Sequence, residues 1–261
     1  SNTCIQDAFN LAWKLAFVVK GHAGQRLLES YSLERAPVGA QIVARANQSR
    51  LDYGPLNECF RDAEAADPVA AGLRKLADPG PEGVARRDAL AKALALKNYE
   101  FNAQGVELNQ RCVSDAVIAD ADAGEEVFER DPQLYLQATT RPGAKLPHAW
   151  VVDGAGRRVS TLDLVGKGRC TLLTGLAGQA WVDAAMALDA PWLRIVVIGQ
   201  PGSQDLYSSW HAIREIDEAG ALLVRPDGVV AWRHRHGAAG GGAAGQALRR
   251  ALVQLLDQEL A

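Results

Sequence analysis

The residues best placed to do chemistry stand at the opening, Ser1-Asn2-Thr3-Cys4-Ile5-Gln6-Asp7-Ala8-Phe9-Asn10-Leu11-Ala12-Trp13-Lys14-Leu15-Ala16. Ser1, Asn2 and Thr3 are N-cap types, whose side-chain oxygens accept from the amides a first helical turn leaves unpaired. Free amides at a helix start attract an anion or a partly negative oxygen. Spacing alone favours an ordinary capped, buried helix. Ile5, Phe9, Ala12, Ala16 and Val19 recur at three- and four-residue steps and make one apolar face. Asp7 lies near the positive end of the helix dipole, and Lys14 and Lys20 toward the negative end. Gly21 is a stop signal of the left-handed type.

Other chemistry-bearing residues form no constellation. His148 is a candidate proton carrier, because imidazole titrates near neutral pH. With no acid or nucleophile beside it in sequence, it reads as a capping or packing histidine. His211, His234 and His236 lack a metal-ligand pattern, so no metal site is expected. Cys4, Cys59, Cys112 and Cys170 are too scattered for a Cys-x-x-Cys pair or zinc knuckle, and reduced thiols are expected. No nucleophile elbow or Ser-His-Asp order stands out, so catalytic side chains stay unassigned.

Size and composition set the limits. The 261 residues suffice for one large or two modest domains, and the net charge is −3. No basic field points to nucleic acid; Arg86-Arg87 and Arg233-His234-Arg235-His236 read as solvated faces. No apolar run is long enough for a membrane span, and no signal peptide opens the chain, so a cytoplasmic location is expected.

The elements that must position the opening helix follow in order. Gln25 to Gln48 is helix-rich, with Pro37 where a second helix would begin. Residues 52–97 are broken by prolines, and Val84 to Lys97 reads as a helix with Val84, Leu90, Leu94 and Leu96 inward. Asp120 to Asp131 is an acidic linker. Val151-Val152 and Arg157 to Ser160 flank a hairpin turn at Asp153-Gly154. Cys170 to Thr174 is a buried strand, Gln179 to Leu188 a helix, and Leu193 to Ile198 a strand covered on both faces. Ala221–Val224 and Val229–Trp232 bracket the turn Arg225-Pro226-Asp227-Gly228. Gly237 to Gly245 reads as a flexible loop into a closing helix, Ala244 to Leu260, with Leu248, Leu252, Leu255 and Leu256 inward. Trp150, Trp181, Trp192, Trp210 and Trp232 crowd this last part, where they serve a core or an interface.

Three strings carry a resemblance: Asn2-Thr3-x-Ile5-Gln6-Asp7-Ala8-x-Asn10-Leu11-Ala12-Trp13-Lys14-Leu15-Ala16, Tyr31-Ser32-x-Glu34-Arg35-x-Pro37 and Arg141-Pro142-Gly143-Ala144-Lys145-Leu146-Pro147-His148. Together they resemble the carboxyl-terminal part of FAD-dependent aromatic hydroxylases, in the branch of phenol 2-monooxygenase and 2,4-dichlorophenol 6-monooxygenase. The resemblance implies that the helix amides at Asn2, Thr3, Cys4 and Ile5 face the pyrimidine end of the flavin, with Gln6 and Asp7 as weaker candidates. Negative charge accumulates there on reduction, and a helix N-terminus stabilises it. It implies FAD and NADPH or NADH in the complete enzyme, a phenolic substrate, and ortho-hydroxylation in aromatic degradation. It also implies that Glu34 and Arg35 pair with parts of the family protein outside this chain; the residues alone read as surface charges on a packed helical hairpin.

The family's Gly-rich pyrophosphate turn near its start has no counterpart at the start of this chain. The run Gly237–Gly245 follows a basic stretch and lacks the acidic partner expected about twenty residues on. The chain is therefore expected to lie inside a longer hydroxylase, with weak or absent flavin binding on its own. The implied fold class is α/β. Residues 1–105 are the helical end of an FAD-binding domain, 106–140 a connecting segment, and 141–261 a thioredoxin-like domain without Cys-x-x-Cys. The expected partner is a second copy of the chain or the missing front half. The competing reading is a non-catalytic thioredoxin-like dimerisation or scaffolding module.

Overall fold

A computed structural model describes residues 2–120 and 124–259. The cap proposed at Ser1, part of the acidic linker and the end of the closing stretch at Leu260 lie outside these. The chain forms two compact units: one holds residues 1–37, 110–127 and 138–261, the other 38–109 and 128–137.

In the first unit, helix α1 (Asn2–Val19) ends at Gly21, whose φ of +71° and bond to the Val18 carbonyl make the left-handed stop. A single 3-10 turn (Gln25–Leu28) leads into helix α2 (Glu29–Leu51), and the unit boundary falls between Pro37 and Val38. Pro37 starts no second helix; it sits inside α2 on an exposed position. The bond it denies is to the carbonyl of Leu33, itself exposed, so water replaces it at least cost.

The second unit is helical: the rest of α2, then α3 (Tyr53–Cys59), α4 (Pro68–Ala77), α5 (Pro81–Leu96), α6 (Asn98–Phe101) and α7 (Gln104–Leu108). Helix α5 departs from its apolar pattern. Val84, Leu94 and Leu96 are exposed, while Gly83 and Ala93 are buried. A Cβ at Gly83 would lie 1.9 Å from the Asp78 carbonyl oxygen, so the helix approaches its neighbour through its small residues. Arg86 is half-buried and Arg87 exposed, and both are also bonded to the backbone. Arg86 donates to the carbonyls of Cys59 (2.9 Å), Glu58 and Arg61, and Arg87 to those of Leu76 (2.7 Å) and Asp78. They cap the carbonyl ends of α3 and α4.

The α/β part of the first unit begins with strands β1 (Trp150–Asp153) and β2 (Arg158–Ser160), the hairpin legible in the sequence. Helix α8 (Thr161–Leu164) follows with a Ser160–Asp163 capping box. Then come β3 (Cys170–Thr174), α9 (Gln179–Met186), β4 (Leu193–Val197), β5 (Ser203–Asp205), β6 (Ala221–Val224), β7 (Val230–His234) and α10 (Gly241–Leu256). The main sheet runs β4-β3-β6-β7, with β3 and β4 parallel and the other pairs antiparallel; a small sheet runs β2-β1-β5. Strand β4 meets the core on both faces but forms the sheet's edge, so most of it is only half-buried. Helix α10 starts inside the glycine run, at Gly241, and buries Leu248, Leu252, Leu255 and Leu256.

The sheet separates two cores. One face carries Cys170, Leu172 and Leu223 against Trp181 and α10, and it also takes Trp13 and Phe17 of α1. The other carries Leu173, Leu222 and Val224 against Val151, Leu164 and Trp210. The pairing passes from Leu223↔Trp232 to Val224↔Val230, leaving Ala231 as a bulge that puts Val230 and Trp232 on opposite faces. Trp181, Trp210 and Trp232 are core residues. Trp150 is partly exposed beneath the Arg158 guanidinium, 4.5 Å from the ring centre.

Candidate flavin-facing helix and its buried charge cluster

Helix α1 is turned inside out relative to its sequence pattern. The stripe expected to face inward is outside: Ile5 is 68% exposed, Phe9 56% and Val19 84%. The buried side is Asn10, Trp13, Lys14 and Phe17. The periodicity was real, but it does not say which body covers the stripe. Burial of the other side became affordable because every charge there has a partner.

Those partners come from three distant segments. The Glu34 carboxylate on α2 receives Lys14 Nζ at 3.0 Å, Asn10 Nδ2 at 2.8 Å and Ser114 Oγ at 2.6 Å. The Arg225 guanidinium, in the β6–β7 turn, grips the same carboxylate with Nη1 at 2.6 Å and Nη2 at 2.8 Å. Its Nε donates to Asp227 at 3.0 Å, and Asn10 Nδ2 reaches Asp227 at 3.3 Å. Lys14, Glu34 and Arg225 have fully buried side chains. Neither a surface charge nor a partner outside the chain accounts for Glu34; its partners lie within this unit.

The charges answer to that environment. Burial pushes the Glu34 carboxyl up, but the Arg225 hydrogen bonds and charge, Lys14 and Ser114 override it and hold the group far below the ordinary glutamate range. Burial lowers Lys14, and Glu34 only partly restores it. Arg225 is raised despite its burial, by Asp227 and Glu34. Two acids and two bases make the cluster neutral.

Nearer the helix start, Arg35 donates to Asp7 at 2.7 Å, Gln6 at 3.2 Å and Gln110 at 3.1 Å. Gln6 and Asp7 therefore serve Arg35. The first turn itself is open: Asn2, Cys4 and Ile5 are exposed and Thr3 half-buried, with no acidic residue in the turn. The amides of a first turn have no acceptor within their own helix, so four donors meet the positive helix end without a competing carboxylate. This fits the electron-rich edge of a flavin. The pyrophosphate end is not matched by the glycine run: β7 ahead of it pairs antiparallel, residues 235–240 intervene, and Gly241, Gly242 and Gly245 are already helix.

The remaining candidates are structural. His148 Nδ1 lies 2.7 Å from Ser160 Oγ, and its ring stands edge-on to Trp150. Arg233 is buried between Asp120 and Glu215, each at 2.7 Å, so the solvated face expected here does not include it, whereas His236 pairs with Asp217 in the open. The motif glycine Gly143 has φ +90°, and a Cβ there would meet the Cys112 carbonyl oxygen at 2.4 Å. Burial raises the Cys112 thiol to about 12 and also raises Cys170, which is sealed in β3. Among the described residues no group of side chains forms a metal site, and no helix is long and apolar enough to cross a membrane.

Comparison with known proteins gives this arrangement its class. Residues 139–258 match the aromatic-ring hydroxylase C-terminal family, and residues 1–46 match an FAD-binding domain. The 2,4-dichlorophenol 6-monooxygenase of Cupriavidus pinatubonensis is 48% identical over 241 residues, covering 89% of this chain and 40% of that protein. A phenol 2-monooxygenase of a Pseudomonas strain is 48% identical over 239 residues, covering 89% of this chain and 39% of that one. The crystal structure of the flavin-dependent monooxygenase PieE with FAD and substrate superposes with a TM-score of 0.87 at 43% identity, over 98% of this chain and 44% of that one. Residues 139–258 thus match the aromatic-ring hydroxylase C-terminal family, and the chain as a whole is similar to the carboxyl-terminal part of FAD-dependent aromatic hydroxylases, spanning about two fifths of the length of these relatives.

Proposed function

We propose that this chain supplies the flavin-facing helix and the closing domain of a phenol-type monooxygenase. The complete enzyme hydroxylates a phenolic ring ortho to its hydroxyl, with O2 and NADH or NADPH. Bound FAD supplies the oxygen chemistry in such an enzyme. The chain's own part is to present the amides of Asn2, Thr3, Cys4 and Ile5 to the ring's electron-rich edge and to hold that helix still. The observation that carries the reading is the state of α1: its start is open, and its inner side is locked by the Glu34–Arg225 cluster.

The reading also makes the chain inactive alone, since it offers one end of the cofactor site and no pyrophosphate cradle. The order β3-α9-β4 followed by β6-β7-α10 supports a thioredoxin-like scaffold. Its strand-to-helix loop, Gly175 to Gly178, carries no thiol, so redox chemistry is not part of its role. The linear modules 1–105, 106–140 and 141–261 remain part of this proposal as stretches of descent, distinct from the compact units of the fold.

The test joins this chain to the amino-terminal portion of a phenol monooxygenase relative. The chimera should retain FAD and oxidise NAD(P)H on addition of phenol, with an ortho-dihydroxy product. The 261-residue chain alone should show neither. A folded chimera that loses its flavin, or phenol hydroxylation by the chain alone, contradicts the proposal.

A further inference from the structure

Two neighbouring residues of α2 hold α1 at two heights. Glu34 takes Asn10 and Lys14, in the third and fourth turns. Arg35 takes Gln6 and Asp7, in the second. The cluster around Glu34 is neutral, so it adds little field at the helix start. Asp7 is the first charged residue of α1. Side chains of a helix lean toward its N-terminus, so the Asp7 carboxylate is carried toward the open amides of residues 2–5. Left unpaired, it would oppose the partial positive charge of the helix end. Arg35 meets it at 2.7 Å, and the Arg35 side chain is only 9% exposed, so solvent screens the pair weakly. Gln110 Oε1, from a separate segment, accepts from the same guanidinium at 3.1 Å and fixes its orientation.

We propose that Arg35 is a positioning residue that sets the reduction potential of the flavin by cancelling the charge of Asp7. The inference rests on the flavin reading and adds how that same helix end is kept positive. Reduction leaves negative charge at the ring edge the amides face, so the potential responds to charges held near that edge. Arg35 acts through Asp7 and not on the ring itself. The two neighbours on α2 then divide the work: Glu34 seats the helix, and Arg35 tunes its end. A purely structural clamp behaves differently. Arg35→Gln and Asp7→Asn break the same 2.7 Å bond, so for a clamp they act alike. For a charge-cancelling pair they act in opposite directions, because one strands an anion and the other a cation.

The test measures the two-electron potential of the flavin in the chimera with the amino-terminal portion of a phenol monooxygenase relative. Arg35→Gln should shift the redox equilibrium about tenfold toward oxidised flavin, the order expected of one nearby charge, which is about 30 mV downward. Asp7→Asn should shift it upward. The double change should return close to the value of the unaltered chimera. Arg35→Lys, which keeps the charge without the planar fork, should stay near that value. Single changes that move the potential in the same direction overturn the proposal, as does an Arg35→Gln potential equal to that of the unaltered chimera. If Arg35→Gln does not retain FAD, Asp7→Asn decides: a raised potential supports the proposal, and an unchanged or lowered one overturns it. A shift in Asn2→Pro relative to Asn2→Ala, beside an indifferent Arg35→Gln, would keep the flavin-edge reading and reject the role of Arg35. Indifference of both would reject the two together.

Discussion

Helices α1 and α10 belong to the same unit, pack into the same core and have similar lengths, yet they obey opposite rules. In α10 the leucines at 248, 252, 255 and 256 point inward, as their spacing demands. In α1 an equally regular apolar stripe points out, and a lysine, an asparagine and two aromatics point in. The difference teaches what amphipathic spacing measures. It marks the side of a helix that some apolar body will cover, whereas the chain in hand decides only whether that body is present. For α1 the covered side is set by charge pairing.

The comparison breaks most visibly at Arg225. Replacing it with methionine keeps the volume and strands Glu34 and Asp227 without their shared cation. Removing one partner of a buried pair costs about 3–5 kcal/mol, so Arg225→Met should lower the urea midpoint sharply. Glu34→Leu combined with Arg225→Met should cost less than the two single changes summed. An additive pair would show that the cluster does not seat α1.

In α10 the same experiment is apolar. Leu252→Ala removes a fully buried side chain and should cost about 2–5 kcal/mol in the same denaturation assay. It should show no special dependence on pH, in contrast to the α1 seam. Glu34 titrates far lower in the folded chain than in the unfolded one. Its contribution is therefore fully present above the unfolded value, about 4.3, and is lost as pH falls through the folded value. Urea midpoints measured downward from pH 6 should fall more steeply for the natural chain than for Glu34→Gln, which starts lower at neutral pH.

The smallest effect belongs to the outer stripe. Val19→Ser should change stability by no more than about 0.5 kcal/mol, as for exposed sites generally. A large loss would mean that the stripe is already covered.

These contrasts also mark what the sequence disclosed. Strands were legible where alternation or a turn signal fixed them, as in β1–β2 and in β6–β7 around Arg225-Pro226-Asp227-Gly228. The stop at Gly21 was legible because only the left-handed region suits it. The role of that turn was not: Arg225 reads as a turn residue, and Glu34 as a surface charge, until the fold brings together two residues 191 positions apart. Arg86 and Arg87 were hidden in the same way, since their acceptors are carbonyls, which leave no trace in side-chain identity. The open start at Asn2 to Ile5 was visible as capping chemistry, and the family resemblance named the ligand for which its backbone is suited.

The most direct measurement is the two-electron midpoint potential of the flavin in the chimera, for Asn2→Pro against Asn2→Ala. Proline is tolerated in a first helical turn and removes the amide hydrogen, while alanine keeps it. Losing one hydrogen bond to a charged acceptor costs about 1.5–3 kcal/mol, so Asn2→Pro should lower the potential by roughly 30–60 mV relative to Asn2→Ala. Equal potentials in the two variants would contradict the claim that this helix start faces the reduced ring.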